Sequence, residues 1–435
     1  MEQVAEATSE LRELSAPYAS VERFPIGAAV LPLATLNRLK DAFTAIFEGL
    51  DALHHDLCEG DLRRLATLCR APDHELPLLD ATPGQDWAIV ARPDVILASD
   101  RIVVVELNCD SPAAQFGLHD LLLRAQSRLP TTAAALERLA AHTLPVTPAL
   151  VARLLELRAR EGLVAVCYWK REEAAGPLHW YLEGLARELT HHGLAARVSS
   201  VEDLQFEDPA VLLQGRPVSV VYRCFESPEP EDAAERVVLD ELVACVARGA
   251  TQLFTGFRGE ICASKTALAL LSDEQHTERL PRELVARFAP YVPWTRVVED
   301  SRTRSEGELV DLIPWCVAQQ RRLVLKPARG HSGHGVSIGD EVDAGEWQRS
   351  LSQAERDGAA GAPWLVQELV RPDPDWVTTT DPSGHPRRDR AVSLHSVFIV
   401  DREVVGVLRK STLSSSLNIS GRSETVPAPV WWIEG

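Results

Sequence analysis

Two clusters in the stretch RPDVILASDRIVVVELNCDSP, Arg92-x-Asp94 and Glu106-x-Asn108-x-Asp110, carry side chains able to do chemistry where strands should bury apolar ones. Val95 to Leu97 and Ile102 to Val105 are rich in β-branched residues and flank the polar turn Ala98-Ser99-Asp100, so the segment is expected to be a hairpin. Alternation then puts Arg92 and Asp94 on one face of the first strand, and Glu106, Asn108 and Asp110 on one face of the second. Converging oxygen donors suit a magnesium ion held between protein and phosphates, and an adjacent arginine suits a phosphate oxygen. The competing account is a solvated charged hairpin.

A second stretch, RRLVLKPARGHSGHGVSIG, sends the apolar strand Leu323 to Leu325 into Lys326 and then a loop punctuated by Gly330, Gly333 and Gly335 before Val336 to Ile338. Glycines let backbone amides approach an anion, and a lysine supplies a point charge for phosphate. The lysine precedes the glycines and no Ser or Thr follows a Gly-Lys pair, so this is not a P-loop. Nor do the glycines open a helix, as a dinucleotide-binding turn requires. A strand, lysine, glycine loop and strand in that order resembles the lid of an ATP-grasp enzyme; a loose glycine hairpin with a surface lysine is the alternative.

The elements that must position these groups divide the chain at about 1–84, 85–160, 161–250 and 251–435. The first part is expected to be helical, with LATLNRLKDAFTAIFEGLDALHHDL its strongest amphipathic stretch. His54 and His55 are adjacent, not four apart, and so cannot form a ligand pair on one helix face. After the hairpin come helices from Ala113 to about Arg160. Strand and helix then alternate from Leu163 through VSVVYRCFE to a helix over Glu231 to Arg248, which predicts a small parallel α/β unit. Tyr222, Arg223 and Glu226 lie at the carboxyl end of its clearest strand, where open sheets place ligands, making Arg223 a candidate grip on a substrate carboxylate or else a structural ion pair. From 251 on, a strand in TQLFTGF, a helix at Lys265 and the glycine loop form a nucleotide-binding half. RPDPDWVTTTDPSGHPRRDRAV lacks apolar periodicity and is expected to be a loop, and SLHSVFIV and EVVGVLRKS pair across Asp401-Arg402. In the polar STLSSSLNISGRSE, Asn418 or Gly421 could approach phosphate or metal, against a serine linker.

Composition bounds the rest. With 435 residues, 45% hydrophobic and 25% charged, the chain is long enough for two or three well-buried cores. A net charge of -18 argues against nucleic-acid binding. It does not argue against a nucleotide, because magnesium and a few cations can reverse the local sign. The apolar runs are too short to span a membrane and MEQVAEATSELREL is acidic where a signal peptide is basic, so a cytoplasmic protein is expected. Eight cysteines show no C-x-x-C pair, which fits reduced, mostly buried thiols; Cys109 inside the cluster is expected to point away from it.

These motifs together resemble the synthetase domain of glutathionylspermidine synthase, a family of circularly permuted ATP-grasp ligases, over residues 85 to 435. Arg92, Asp94, Glu106, Asn108, Asp110 and Pro112 match its R-x-D and E-x-N-x-D-x-P pattern. Ala263-Ser264-Lys265-Thr266 keeps the lysine, though not the asparagine, of an S-N-K-A-like helix start. Lys326, Pro327, Gly330 and Gly333 resemble its lid, and Leu365-Val366-Gln367-Glu368-Leu369 resembles its nucleotide hinge. Arg409 in VVGVLRKST is the best match to a phosphate-facing arginine. The resemblance implies an α/β (α+β) chain of ATP-grasp fold using ATP and Mg2+. Asp94, Glu106 and Asn108 would hold the metal. Arg92 and Arg409 would neutralise the transferring phosphoryl group, and Lys265 and Lys326 would hold the α and β phosphates under the lid of Gly330 and Gly333. Gln367, Glu368 and Leu369 would meet adenine through backbone groups, and Asp110 and Arg223 are the candidates for substrate contact. The implied reaction joins a small-molecule or peptide carboxylate to an amine through an acyl phosphate. A phosphotransferase on the same scaffold and a nucleotide-binding module without turnover are the alternatives.

Overall fold

A computed structural model describes residues 24–82, 85–99, 101–110, 115–158, 160–174, 178–227, 232–330, 333–380, 385–414, 416–418 and 425–434. Pro112 and Gly421 lie outside the described residues. Four sheets organise these residues, and the largest is assembled from both ends of the described chain. Its strands run in the order Phe24–Pro25, Asp375–Thr380, Pro386–Val400, Glu403–Thr412, Val426–Ile433 and Ala29–Pro32. The hairpin Asp94–Ala98 and Arg101–Glu106 joins this sheet by pairing His395 with Val95 and Ser396 with Asp94. Residues 85–110 and 386–433 are therefore one structural unit. The N-terminal region, expected to be helical, contributes the strand Ala29–Pro32, parallel to Val426–Ile433, before its helix Leu33–Ala52 begins. That helix buries Leu39, Phe43, Ile46 and Leu50 against Val397, Val407 and Ala428, the three-to-four spacing its sequence displays.

The segment expected to be a loop is instead a hairpin. Asp375–Thr380 pairs antiparallel with Pro386–Val400, setting Trp376 opposite Arg390 and Val377 opposite Asp389. Its apolar content is low because half of it faces outward, and the β-branched run Val377-Thr378-Thr379-Thr380 was the available strand signal. Arg388 lies over the half-exposed Trp376 ring, 4.8 Å from its centre.

The parallel unit forms as the alternation requires, with Leu163–Tyr168 between Ala196–Ser200 and Arg216–Arg223, and Gln252–Phe254 parallel to Arg216–Arg223. A third sheet is antiparallel, in the order Thr295–Val297, Trp364–Glu368, Leu323–Pro327 and Ser337–Ile338. Leu323 and Leu325 turn to the helix Ala344–Ala359 through Trp347, Leu351 and Ala354, which leaves Val324 and Lys326 on the opposite face. All eight cysteines are buried free thiols, and the thiol of Cys109 is raised by burial, first of all, and by the neighbouring Asp110.

One close approach fixes how the hairpin meets the Lys265 region. At Gly259, the first residue of the helix Gly259–Ala263, an added Cβ would stand 2.3 Å from the Cys109 carbonyl oxygen. Gly259→Ala is expected to push the Cys109–Asp110 backbone away and destabilise the chain by about 1–3 kcal/mol, the usual cost of overpacking. A urea unfolding midpoint that does not move would show that this contact is not a constraint.

Candidate functional site

The hairpin brings its acids together through an irregularity. Val95 lies opposite Val104, yet Asp94 lies opposite Glu106, so Val105 is an extra residue. In a regular ladder Val105 would face Asp94 and Glu106 would point to the other side. The bulge returns Glu106 to the face of Asp94 and Ile96. Beyond it Asn108 takes a left-handed φ of 44°, with its carbonyl accepting from the Arg92 N–H at 2.9 Å and its Nδ2 donating to the Arg92 carbonyl at 3.2 Å. Strand alternation ends there, and Asp110 does not line the larger cavity that Glu106 and Asn108 reach.

The antiparallel four-stranded sheet closes over this face, and a cavity of about 220 Å³ lies between the two. Its polar lining includes Arg92, Asp94, Glu106, Asn108, Lys265, Lys326, Lys410 and Asn418. Its apolar lining includes Ile96, Val324, Val336, Ile338 and Leu394. Asp94 is buried and both carboxylate oxygens accept from Lys410 Nζ, at 3.0 and 3.1 Å, while Ser396 Oγ donates to one of them at 2.6 Å. Burial alone would push this carboxyl up, but Lys410 and Arg92 outweigh it and hold Asp94 below the usual carboxylate range. Glu106 pairs with Lys265 Nζ at 2.9 Å, and the same ammonium donates to the Gly330 carbonyl at 3.1 Å. Lys326 Nζ donates to the Val105 carbonyl at 2.9 Å and to Gln367 Oε1 at 2.8 Å. Burial, and then the nearby Lys265, push Lys326 down to about 7.

The glycine loop has the backbone its residues allow. Gly330, Gly333 and Gly335 have φ values of 122°, 71° and 73°. Asn418 donates through Nδ2 to the Gly333 carbonyl at 3.0 Å, and an added Cβ on Gly333 would meet Asn418 Oδ1 at 2.2 Å. At the hinge, Gln367 is buried between Lys326 and the Thr295 hydroxyl, to which it donates at 3.0 Å. The N–H groups of Glu368 and Leu369 donate to the carbonyls of Trp294 and Arg322 at 2.8 and 2.7 Å. Those two amides are engaged, so a base edge would meet carbonyl oxygens here. The Glu368 carboxylate pairs with Arg101 at the rim, at 3.1 Å.

Several site expectations change in detail. Arg409 pairs with Asp375 at 2.9 Å and shares its strand face with the His395 opposite it, away from the cavity lining. His395 is pushed down to about 3 by burial, then by Arg409 and Lys410, and so stays neutral. Lys410, one residue on, reaches the cavity. Alternation along VLRKST puts one cation on each face, and the sequence does not say which faces inward. Arg223 has no freedom to hold a substrate carboxylate. It is fully buried, pairs with Glu260, and donates to the carbonyls of Thr255 at 3.0 Å, Phe225 at 2.8 Å, Asp110 at 2.9 Å and Gly256 at 3.2 Å. It clamps the loop that carries Asn108 and Asp110.

The oxygen donors fit a hard cation in part. Asp94 is the counter-ion of Lys410, with both oxygens engaged, whereas Glu106 pairs through Oε1 and Asn108 uses only its amide N–H2 on Arg92. One carboxylate and one amide oxygen would suit magnesium only where phosphates supplied most of its ligands, since the ion takes few from protein in such sites. Among the described residues no group of three or more His, Cys, Asp or Glu is placed to hold a metal by itself. Beyond Glu106 and Asn108, a smaller cavity of about 30 Å³ is lined by Asp110, Glu226, Glu260 and Arg329 together with Lys265 and Gly330. Arg329 is held there by Glu75, with Nη2 to Oε2 at 2.8 Å.

No family model matches the chain, and no curated protein matches it. Among solved structures it is similar to a glutathione synthetase-like effector (GSS30) from Globodera pallida, with a TM-score of 0.61 and 12% identity over 100% of this chain and 97% of that one. A putative gamma-glutamylcysteine synthetase from Methylobacillus flagellatus gives a TM-score of 0.45 at 11% identity over 89% and 86% of the two chains. D-cycloserine synthetase DcsG gives 0.31 at 16% over 63% and 92%. The first likeness shows a shared fold. No described helix is long and apolar enough to cross a membrane.

Two measurements test the geometry. Removing the Arg223 fork in Arg223→Met leaves Glu260 buried without its cation, and a stability loss of about 3–5 kcal/mol is expected in denaturant unfolding; a loss under about 1 kcal/mol would contradict the clamp. Lys326 has its folded value lowered from 10.5 to about 7, so between those pH values the folded chain keeps it neutral while the unfolded chain protonates it. Its contribution to stability therefore rises with pH across that window. A polyphosphate bound beside it favours the ammonium. ATP titrated at pH 8 in buffers of different ionisation enthalpy should take up close to one proton, and Lys326→Met should abolish the uptake. Uptake unchanged in the variant would assign the proton elsewhere.

Proposed function

We propose that this chain is an ATP-dependent ligase that activates a carboxylate as an acyl phosphate and joins it to an amine. The observation that carries the reading is one cavity in which three lysines and Arg92 stand beside Glu106 and Asn108, with an apolar lining from both sheets. Catalysis of phosphoryl transfer rests on positioning and charge neutralisation, and a set of cations and oxygen donors without a protein nucleophile suits it. The shared fold with a glutathione synthetase-like protein supports the same reading. A circularly permuted connection would explain why the hairpin at 94–106 and the strands at 386–412 build one sheet.

In this reading Lys326 and Lys265 hold the α and β phosphates, with the glycine loop closing over them. Arg92 and Lys410 face the γ-phosphoryl group; Arg409 supports the strand through Asp375. Glu106 and Asn108 would hold Mg2+, which when bound offsets charge on the phosphates. The substrate carboxylate oxygen attacks the γ-phosphorus, the bond to ADP breaks, and the acyl phosphate forms. The amine nitrogen then attacks the acyl carbon, phosphate leaves with the carbon–oxygen bond electrons, and the nitrogen loses a proton. The substrates are a small-molecule or peptide acid and an amine.

The test is ADP release from MgATP across a panel of acids and amines, with mass detection of the product. An amide with ADP is expected, and Glu106→Gln and Lys410→Ala should each lower kcat by about 100-fold or more, the usual scale for removing one charge-stabilising group. A phosphorylated acid that never condenses would make the chain a phosphotransferase. Nucleotide binding with no turnover on the whole panel would make it a binding module.

A further inference from the structure

The smaller cavity holds a charge that the proposed chemistry leaves unused. Asp110 is 6% exposed and lines that cavity, and its carboxylate has no hydrogen-bond or ion-pair partner among the described residues. The neighbouring charges there have partners within the protein, although the buried Arg329 Nε has none among the described residues. Glu106 has Lys265, Glu260 has Arg223 and the N–H and hydroxyl of Ser227, and Arg329 has Glu75. Asp110 is held in place by its own backbone, whose carbonyl accepts from Arg223 Nη2 at 2.9 Å and from the Thr255 hydroxyl. Glu226 adds another carboxylate to the lining. A fixed carboxylate with no partner in the protein, facing a small cavity, is a ready counter-ion for a cation that enters it.

We propose that this cavity binds the ammonium head of the acceptor amine, with Asp110 as its counter-ion. The assignment to an acceptor rests on the ligase reading; the binding of a primary ammonium does not. About 30 Å³ admits roughly two waters, so it takes a head group while the rest of the molecule stays outside. An ammonium has three N–H donors for the acceptors present. Among the described residues no group of three or more His, Cys, Asp or Glu is placed to hold a metal by itself. The cavity shares Glu106, Asn108, Lys265 and Gly330 with the larger one, so an amine seated there waits beside the phosphate-binding groups. Asp110 is thus a positioning and specificity residue for the second substrate.

Calorimetric titration of the full chain with methylammonium, tetramethylammonium and Mg2+, for the native protein and Asp110→Asn, tests it. Methylammonium should bind the native chain and at least about tenfold more weakly in the variant, as loss of a charged hydrogen-bond partner implies. Tetramethylammonium, larger and without N–H donors, should not bind. Should Asp110→Asn not fold, Asp110→Ser carries the same comparison. Where the panel gives turnover, Asp110→Asn should raise KM for the amine about tenfold or more with KM for ATP unchanged. Equal methylammonium affinity in both proteins overturns the proposal, as does an Asp110-dependent heat from Mg2+ with none from methylammonium, and either result leaves the ligase reading standing. Methylammonium binding that needs Asp110, in a chain that makes no amide, would sink the ligase reading and keep the ammonium site.

Discussion

Three lysines buried around one cavity need partners or must give up their charge, and the structure answers two with carboxylates and leaves the third to a carbonyl and an amide oxygen, which lets its value fall to about 7. Lys410 is answered by Asp94, Lys265 by Glu106, and Lys326 by the Val105 carbonyl and Gln367. Each contact joins the hairpin to another element: the strand Glu403–Thr412, the start of the helix Thr266–Ser272, and the strand Leu323–Pro327. The Lys326 contact is the one that crosses from the four-stranded sheet to the sheet that holds the hairpin. Burial keeps these interactions strong, because little water screens them.

The protein also supports the site from behind. Arg223 gathers the carbonyls of Asp110, Thr255, Phe225 and Gly256 and pairs with Glu260, so a single guanidinium fixes the loop after Asn108 against the parallel sheet. The Ser227 hydroxyl stands within reach of both Glu75 and Glu260, at 3.0 and 3.1 Å, with one proton to share between them, and Glu75 holds Arg329 next to Gly330. A continuous polar network thus runs from the parallel sheet to the glycine loop. Such a network is stable only when its members are satisfied, which fits the many donors of Arg223 finding backbone carbonyls.

Much of the site was legible because its residue types are uncommon where they occur. Acids at the ends of β-branched strands and a lysine before three glycines conflict with burial and with regular structure, and both stretches line the cavity. The strand at Ala29–Pro32 was hidden by the stronger helical pattern that follows it. The hairpin at 375–391 was hidden because outward arginines and aspartates remove the apolar alternation on which strand assignment depends.

By itself the sequence determined the local elements, the oxygen donors, the lysines and the glycine loop, since these follow from side-chain chemistry and spacing within a few residues. Only the tertiary structure decided which of Arg409 and Lys410 faces inward, that Arg223 is a clamp, and that Asp110 lines only the smaller of the two adjoining cavities. Strand register and a single bulge at Val105 control those outcomes. A shift of one residue reverses every side chain on a strand, and the register is fixed by partners about three hundred residues away, which no local pattern encodes.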